Sequence, residues 1–147
     1  MKARDLAIPH PSVQIDQPAG EGVAILSRQD VRGVLVVDAE GNVVGVLSDS
    51  DLLRRLLPSY VEENGALARV LEEGVADVLF QRLAGKRVRD LLRDDLREIP
   101  VVDGDANLVA VASLMVRTRC SLIGVREGGR LVGGIGIERL LSHLIRR

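Results

Sequence analysis

Three short strings recur in the same order along this chain, and that recurrence limits its fold more than any other feature. Arg4-Asp5-Leu6 returns as Arg89-Asp90-Leu91, a separation of 85 residues between positions 4 and 89. Val43-Val44-Gly45 returns as Leu131-Val132-Gly133, and Leu52-Leu53 as Leu140-Leu141, each at a separation of 88 (43 to 131, 52 to 140). A drift of three residues over the set is what a duplication with changed loop lengths leaves behind. The 147 residues therefore divide into a first repeat over 1–58, a helical insert over 59–85 and a second repeat over 86–147. Each half is too small to cover its own sheet, so the two must pack face to face as one domain.

Within the first repeat, Val13-Gln14-Ile15 alternates as a short strand, and Asp16-Gln17-Pro18 breaks it. Ala19 to Arg28 has the spacing of a helix, weakened by Gly20 and Gly22. Val31 to Val37 reads as a strand, Asp38-Ala39-Glu40-Gly41-Asn42 as a hairpin turn, and Val43 to Leu47 as the return strand. A helix opens at Asp49 and stops at Pro58. The second repeat supplies strand Ile99 to Val102, helix Leu108 to Val116, strand Leu122 to Val125, the turn Glu127-Gly128-Gly129-Arg130, strand Leu131 to Ile135 and helix Ile137 to Ile145. The fold class is thus mixed α/β (α+β), with two β-α-β-β-α units. In the insert, Leu67, Val70, Leu71, Val78, Leu79 and Leu83 mark an amphipathic helix bent near Gly74, packed either on its own domain or across a dimer.

The chemistry concentrates at Gly45-Val46-Leu47-Ser48-Asp49-Ser50-Asp51, where a β-branched strand feeds directly into a helix. The first amides of that helix have no partner inside it, and Asp51 lies beside them. Such amides suit a phosphate, and a carboxylate there suits the paired hydroxyls of a ribose. Ser48-x-x-Asp51 equally fits a capping box, whose serine and acid only start the helix. In the second repeat, Gly133-Gly134-Ile135-Gly136 is no dinucleotide fingerprint, because its third glycine position falls on Arg139. Those glycines mark close strand packing or flexibility.

Composition narrows the classes of function. Lys and Arg total 20 against 21 Asp and Glu, and Tyr60 and Phe80 are the only aromatics. Neither a basic surface nor a stacking platform for bases follows, and nucleic acid is not an expected partner despite Arg139, Arg146 and Arg147 near one end. A single cysteine, Cys120, excludes an internal disulfide and reads as buried filler, while His10 and His143 lack ligand spacing. No nucleophile with a paired base and no carboxylate dyad can be assembled, so catalysis is not expected. No signal peptide or membrane span is apparent, and a cytoplasmic setting is the expectation.

Taken together, Ala3-Arg4-Asp5-Leu6, Val31-Arg32-Gly33-Val34-Leu35-Val36-Val37-Asp38, Gly45 to Leu53, Val88-Arg89-Asp90-Leu91 and Gly129-Arg130-Leu131-Val132-Gly133 resemble the cystathionine-β-synthase (CBS) domain family, as a tandem pair or Bateman module. The resemblance covers nearly everything outside the insert. It implies two repeats about a pseudo-twofold axis with two clefts for adenine nucleotides or related adenosyl ligands. Gly45, Ser48 and Asp51 match the family's Gly-x-x-Ser/Thr-x-x-Asp motif, which implies that Asp51 holds the ribose and Ser48 lies near phosphate. Arg32 matches a basic position before the central strand, as a phosphate partner. Val13, Ile15, Gly33, Val34 and Leu35 would complete the slot for the base. The second cleft has Gly136, Arg139 and Ser121 at the positions of Ser48, Asp51 and Arg32, and looks degenerate.

The expected function is a regulatory, non-catalytic module sensing AMP, ADP or ATP, with S-adenosylmethionine less favoured. It would act through differential affinity between two conformations or assemblies. A homodimer and a protein partner of unknown identity are implied. The competing expectation is a structural or protein-interaction module without a ligand.

Overall fold

The structure is a computed structural model that describes residues 1–28, 32–56, 81–93 and 98–146. The first half contains α1 (Ala3–Leu6), β1 (Ser12–Gln14), α2 (Ala19–Leu26), β2 (Gly33–Val37), β3 (Val43–Ser48) and α3 (Asp49–Leu56). The second contains α4 (Val88–Leu91), β4 (Val101–Asp103), α5 (Leu108–Thr118), β5 (Leu122–Glu127), β6 (Arg130–Gly136) and α6 (Ile137–Ile145). Of the expected insert, residues 81–83 are helical. Its apolar stripe from Leu67 to Leu79, the stop at Pro58 and the strand start at Val31 lie outside the described residues.

Two three-stranded sheets result, ordered β1-β2-β3 and β4-β5-β6. In each, the first strand runs parallel to the second and the third runs antiparallel to it. A helix crosses between the parallel pair and a hairpin joins the antiparallel pair, as the hydrogen-bonding directions require. Both sheets carry a register shift at the corresponding place, Val36/Val37 and Val125/Arg126. Every residue of β2 is buried, which explains why it reads as an unbroken apolar run rather than an alternating one.

The hairpins follow from turn chemistry. Asp38 Oδ1 accepts from the amides of Glu40 (3.0 Å) and Asn42 (2.9 Å), and Gly41 has φ +85°. The hydrogen bond from the Asn42 backbone, reinforced by that from Glu40, holds the Asp38 carboxyl below the usual aspartate range. In the second hairpin Gly128 and Gly129 take φ of 57° and 78° between the paired Glu127 and Arg130. Two positive φ values in a two-residue loop require glycine or asparagine.

The short helices α1 and α4 are exchanged between the halves. Ala3 N–H donates to Ala106 C=O at 2.7 Å and Arg4 N–H to Gly104 C=O at 2.9 Å, so the orphan first-turn amides of α1 are satisfied by the other repeat. Ile8 and Gly134 exchange both backbone bonds, at 3.0 and 2.9 Å. The mirror set is Val88 N–H to Gln17 C=O and Arg89 N–H to Ile15 C=O, both 2.9 Å. Ala3 and Leu6 lie in one core with Val111, Ile123, Val125 and Ile135, while Val88 and Leu91 lie in the other with Val13, Val34 and Leu47. Arg4 pairs with Glu127, and Arg89 with Asp16 at 2.9 Å. These pairs are about half exposed and orient the helices more than they stabilise them.

Candidate functional site

The strand-to-helix junction at Ser48 forms because β3 pairs with β2 up to Gly33↔Ser48 and the chain then turns into α3. Asp49 N–H donates to Arg32 C=O at 3.2 Å, which places the backbone before β2 against the start of α3. Ser48 Oγ accepts from Asp51 N–H at 3.1 Å, the first half of a capping box. The second half is missing: Asp51's carboxylate makes no hydrogen bond or ion pair among the described residues. The equivalent acids of α1 and α4 do close their boxes, Asp5 on Lys2 N–H and Asp90 on Arg87 N–H, both at 2.9 Å. Asp51 is thus a partly buried acid at a helix start, without a side-chain partner among the described residues.

Two small cavities flank the seam between the sheets. One, of about 170 Å³, is lined by Gly45 and Val46 of β3, Leu92, Arg93, Glu98 and Cys120 among others. The hydrogen bond from Arg117 (2.8 Å) holds the Glu98 carboxyl below the usual range, and Arg93 donates to Thr118 C=O at 2.8 Å. Cys120 is buried, as its surroundings in the sequence suggested. The other cavity, of about 260 Å³, is lined by His10, Arg32, Gly33, Ser121, Leu122, Gly136, Ile137 and Glu138. Its mouth carries an ion pair between the halves, Arg32 Nη1 to Glu138 Oε1 at 3.0 Å.

The structure brings together only part of the expected residue set. Ser48, Asp51 and the Arg32 backbone share the junction. Val13, Val34 and Leu35 do not face a slot: they are at most 3% exposed and fill the cores, because the exchanged helix α4 covers Val13 and Val34 while Leu35 joins the core of the second half. Ile15 is only partly buried and packs on the first core. Arg32 and Gly33 share a cavity with Ser121 and Gly136, positions expected in the opposite cleft, since β2 and β5 start side by side at the seam: a Cβ on Gly33 would sit 3.3 Å from Leu122. Arg139, in the place of Asp51, donates to Leu6 C=O at 2.5 Å and so ties down the end of α1. That bond accounts for an arginine there and removes it from any free basic patch. Glu98 and Glu138 escaped the sequence reading, and His10 entered it only as lacking ligand spacing, because their placement comes from neighbours distant in the chain and no local spacing marks them.

Among the described residues no cluster of His, Cys, Asp or Glu is placed to hold a metal, and no helix is long and apolar enough to cross a membrane.

Comparison with known proteins bears on the same elements. The CBS domain family model matches residues 3–58 and 88–146. A CBS domain-containing protein of unknown function from Kribbella flavida is similar at 38% identity, with 99% of each chain covered and a TM-score of 0.82. The CBS-pair protein CBSX2 from Arabidopsis thaliana is similar in fold, at 23% identity, 99% and 94% coverage and a TM-score of 0.72. A structure of CBSX2 in complex with AMP aligns at 22% identity, 99% and 96% coverage and a TM-score of 0.66. A search of curated proteins gave no match.

Proposed function

The chain belongs to the CBS domain family as a tandem pair, and on that footing we propose that it is a regulatory module that binds an adenosine nucleotide, AMP, ADP or ATP, without catalysis. The observation that carries this reading is the uncommitted Asp51 carboxylate beside a serine-capped helix start. A carboxylate with free lone pairs accepts the two ribose hydroxyls, and the amides of the α3 start favour the adjacent phosphate. Arg32, tied by its carbonyl to that same helix start, carries a guanidinium fork of the right shape for phosphate oxygens. The fold holds AMP in CBSX2, which supports adenosine as the ligand class.

Thermal shift with AMP, ADP, ATP and S-adenosylmethionine tests this. A ligand at about 100 times its Kd adds roughly 2.7 kcal/mol, several degrees in a domain of this size. Asp51→Asn is expected to abolish the ligand-induced shift while leaving the unliganded Tm nearly unchanged, because the Ser48 cap binds the backbone of residue 51 and not its side chain. Loss of stability without loss of the shift would reduce Asp51 to a helix starter.

A second reading, a protein-interaction module without a ligand, is favoured by the small size of the two cavities at the seam, the space of about 600 Å³ beside Asp16, Pro18 and Arg87 lying away from Ser48 and Asp51. Both 170 and 260 Å³ fall short of the roughly 300–1,000 Å³ of small-molecule sites. No shift with any nucleotide would select it. Under either reading we place the chain in a homodimer, since Leu141, Leu144 and Ile145 of α6 and Leu53 of α3 stand exposed. Sedimentation at micromolar concentration is expected to give twice the monomer mass, and a monomer would remove this part of the proposal.

A further inference from the structure

The ion pair across the 260 Å³ cavity joins residues that no helix or hairpin brings together. Arg32 precedes β2 in the first half and Glu138 lies in the first turn of α6 in the second, yet their side chains meet at 3.0 Å over a cavity they both line. The Arg32 backbone is fixed at the start of α3 through its bond to Asp49, while its guanidinium lies across the seam on Glu138. The α3 start that it anchors carries Asp51, which has no side-chain partner among the described residues. Both side chains are largely exposed, 77% and 64%, so the pair is weak and easily exchanged for another anion.

We propose that Glu138 is an internal competitor for the ligand's phosphate: its carboxylate occupies the anion position on Arg32 in the unliganded protein, and binding of a phosphate-bearing ligand releases it. The proposal rests on the nucleotide reading above. It gives ligand binding a structural consequence, because the bond that breaks is one that joins the two halves. A ligand shifts a conformational equilibrium only through such a differential contact.

Isothermal titration of ATP and AMP into the full chain tests it, using wild type, Glu138→Gln, Arg32→Ala and the double variant. Glu138→Gln keeps the shape and removes the charge. It is expected to tighten binding about two- to fivefold, the range an exposed ion pair commands, and the gain is expected to vanish in the Arg32→Ala background. Unchanged affinity in Glu138→Gln, with the wild type binding normally, overturns the competition and leaves the nucleotide reading standing. An equal gain with and without Arg32 also overturns it, since Glu138 would then act only as a general negative charge at a helix start. Absence of binding in all four proteins overturns the nucleotide reading and the competition with it.

Discussion

Replacing Leu6 with alanine is expected to cost about 2–5 kcal/mol and to loosen the half of the molecule to which Leu6 does not belong in sequence. The side chain is fully buried in a core drawn mainly from the second repeat, with Val111, Leu114, Ile123 and Ile135, which Leu35 and Val46 of the first repeat enter from β2 and β3. Removing it leaves a cavity that the rigid surroundings close only in part, and the cost is the lost transfer energy plus that of the void. Urea unfolding gives the magnitude. Native-state hydrogen exchange gives the location: protection should fall first at β5 and β6, with β2 and β3 less affected. The twin substitution Leu91→Ala, in a core with Val13, Val34 and Leu47, should produce the opposite map. Loss of protection confined to the mutated residue's own repeat would contradict the exchange of α1 and α4.

Gly133→Ala is expected to destabilise by about 1–3 kcal/mol, as overpacking of a closed site does. A Cβ at this position would stand 2.6 Å from the carbonyl oxygen of Ile8 and 3.0 Å from its carbonyl carbon. Those are backbone atoms held by the Ile8–Gly134 bonds on either side, so relief requires breaking the bridge that ties the end of α1 to β6. Gly20→Ala provides the control of opposite sign. Nothing lies within 4 Å of its added Cβ, and in a helix the alanine gains up to about 1 kcal/mol over glycine. Denaturant midpoints for the two variants, measured side by side, check both signs. A neutral Gly133→Ala would mean that the α1 segment can lift from β6 at little cost, and the account of the exchange would have to change.

The two predictions share a cause that was visible only in part beforehand. Arg4-Asp5-Leu6 and Arg89-Asp90-Leu91 stand out in the sequence as a repeated string, and the short helices they form carry the same capping acid in both copies. Nothing local in either string says that it packs on the other repeat. The glycines after Leu131 read as close strand packing or flexibility, and Gly133 has the Ile8 backbone close against it. Which backbone approaches them, 125 positions earlier at Ile8, is not encoded in any spacing.

The candidate site divides the same way. The motif at Ser48 and Asp51 left a closed capping box and a ligand-facing acid both open, and it is the folded junction that shows Ser48 capping the helix with no side-chain partner for Asp51 among the described residues. Val13, Val34 and Leu35 were expected to line a slot and instead fill cores, because an apolar residue on a strand faces whatever covers it, and the cover comes from elsewhere in the chain. Arg32 was assigned to one cleft and its side chain lies in a cavity shared with residues expected in the other.

By itself the sequence determined the duplication, the order of strands, helices and hairpins from β1 to α3 and from β4 to α6, and the strand-to-helix junction that carries Asp51, but not the short helices α1 and α4. These depend on apolar periodicity and turn chemistry over a few residues, where the physics is short-ranged. The tertiary structure alone decided the exchange of α1 and α4, the tie of Arg139 to Leu6, and the meeting of Arg32 with Glu138. Each of those depends on which surfaces two half-covered sheets present to one another when they bury their apolar faces, and a contact between residues 106 positions apart (32 to 138) exists only after that packing is complete.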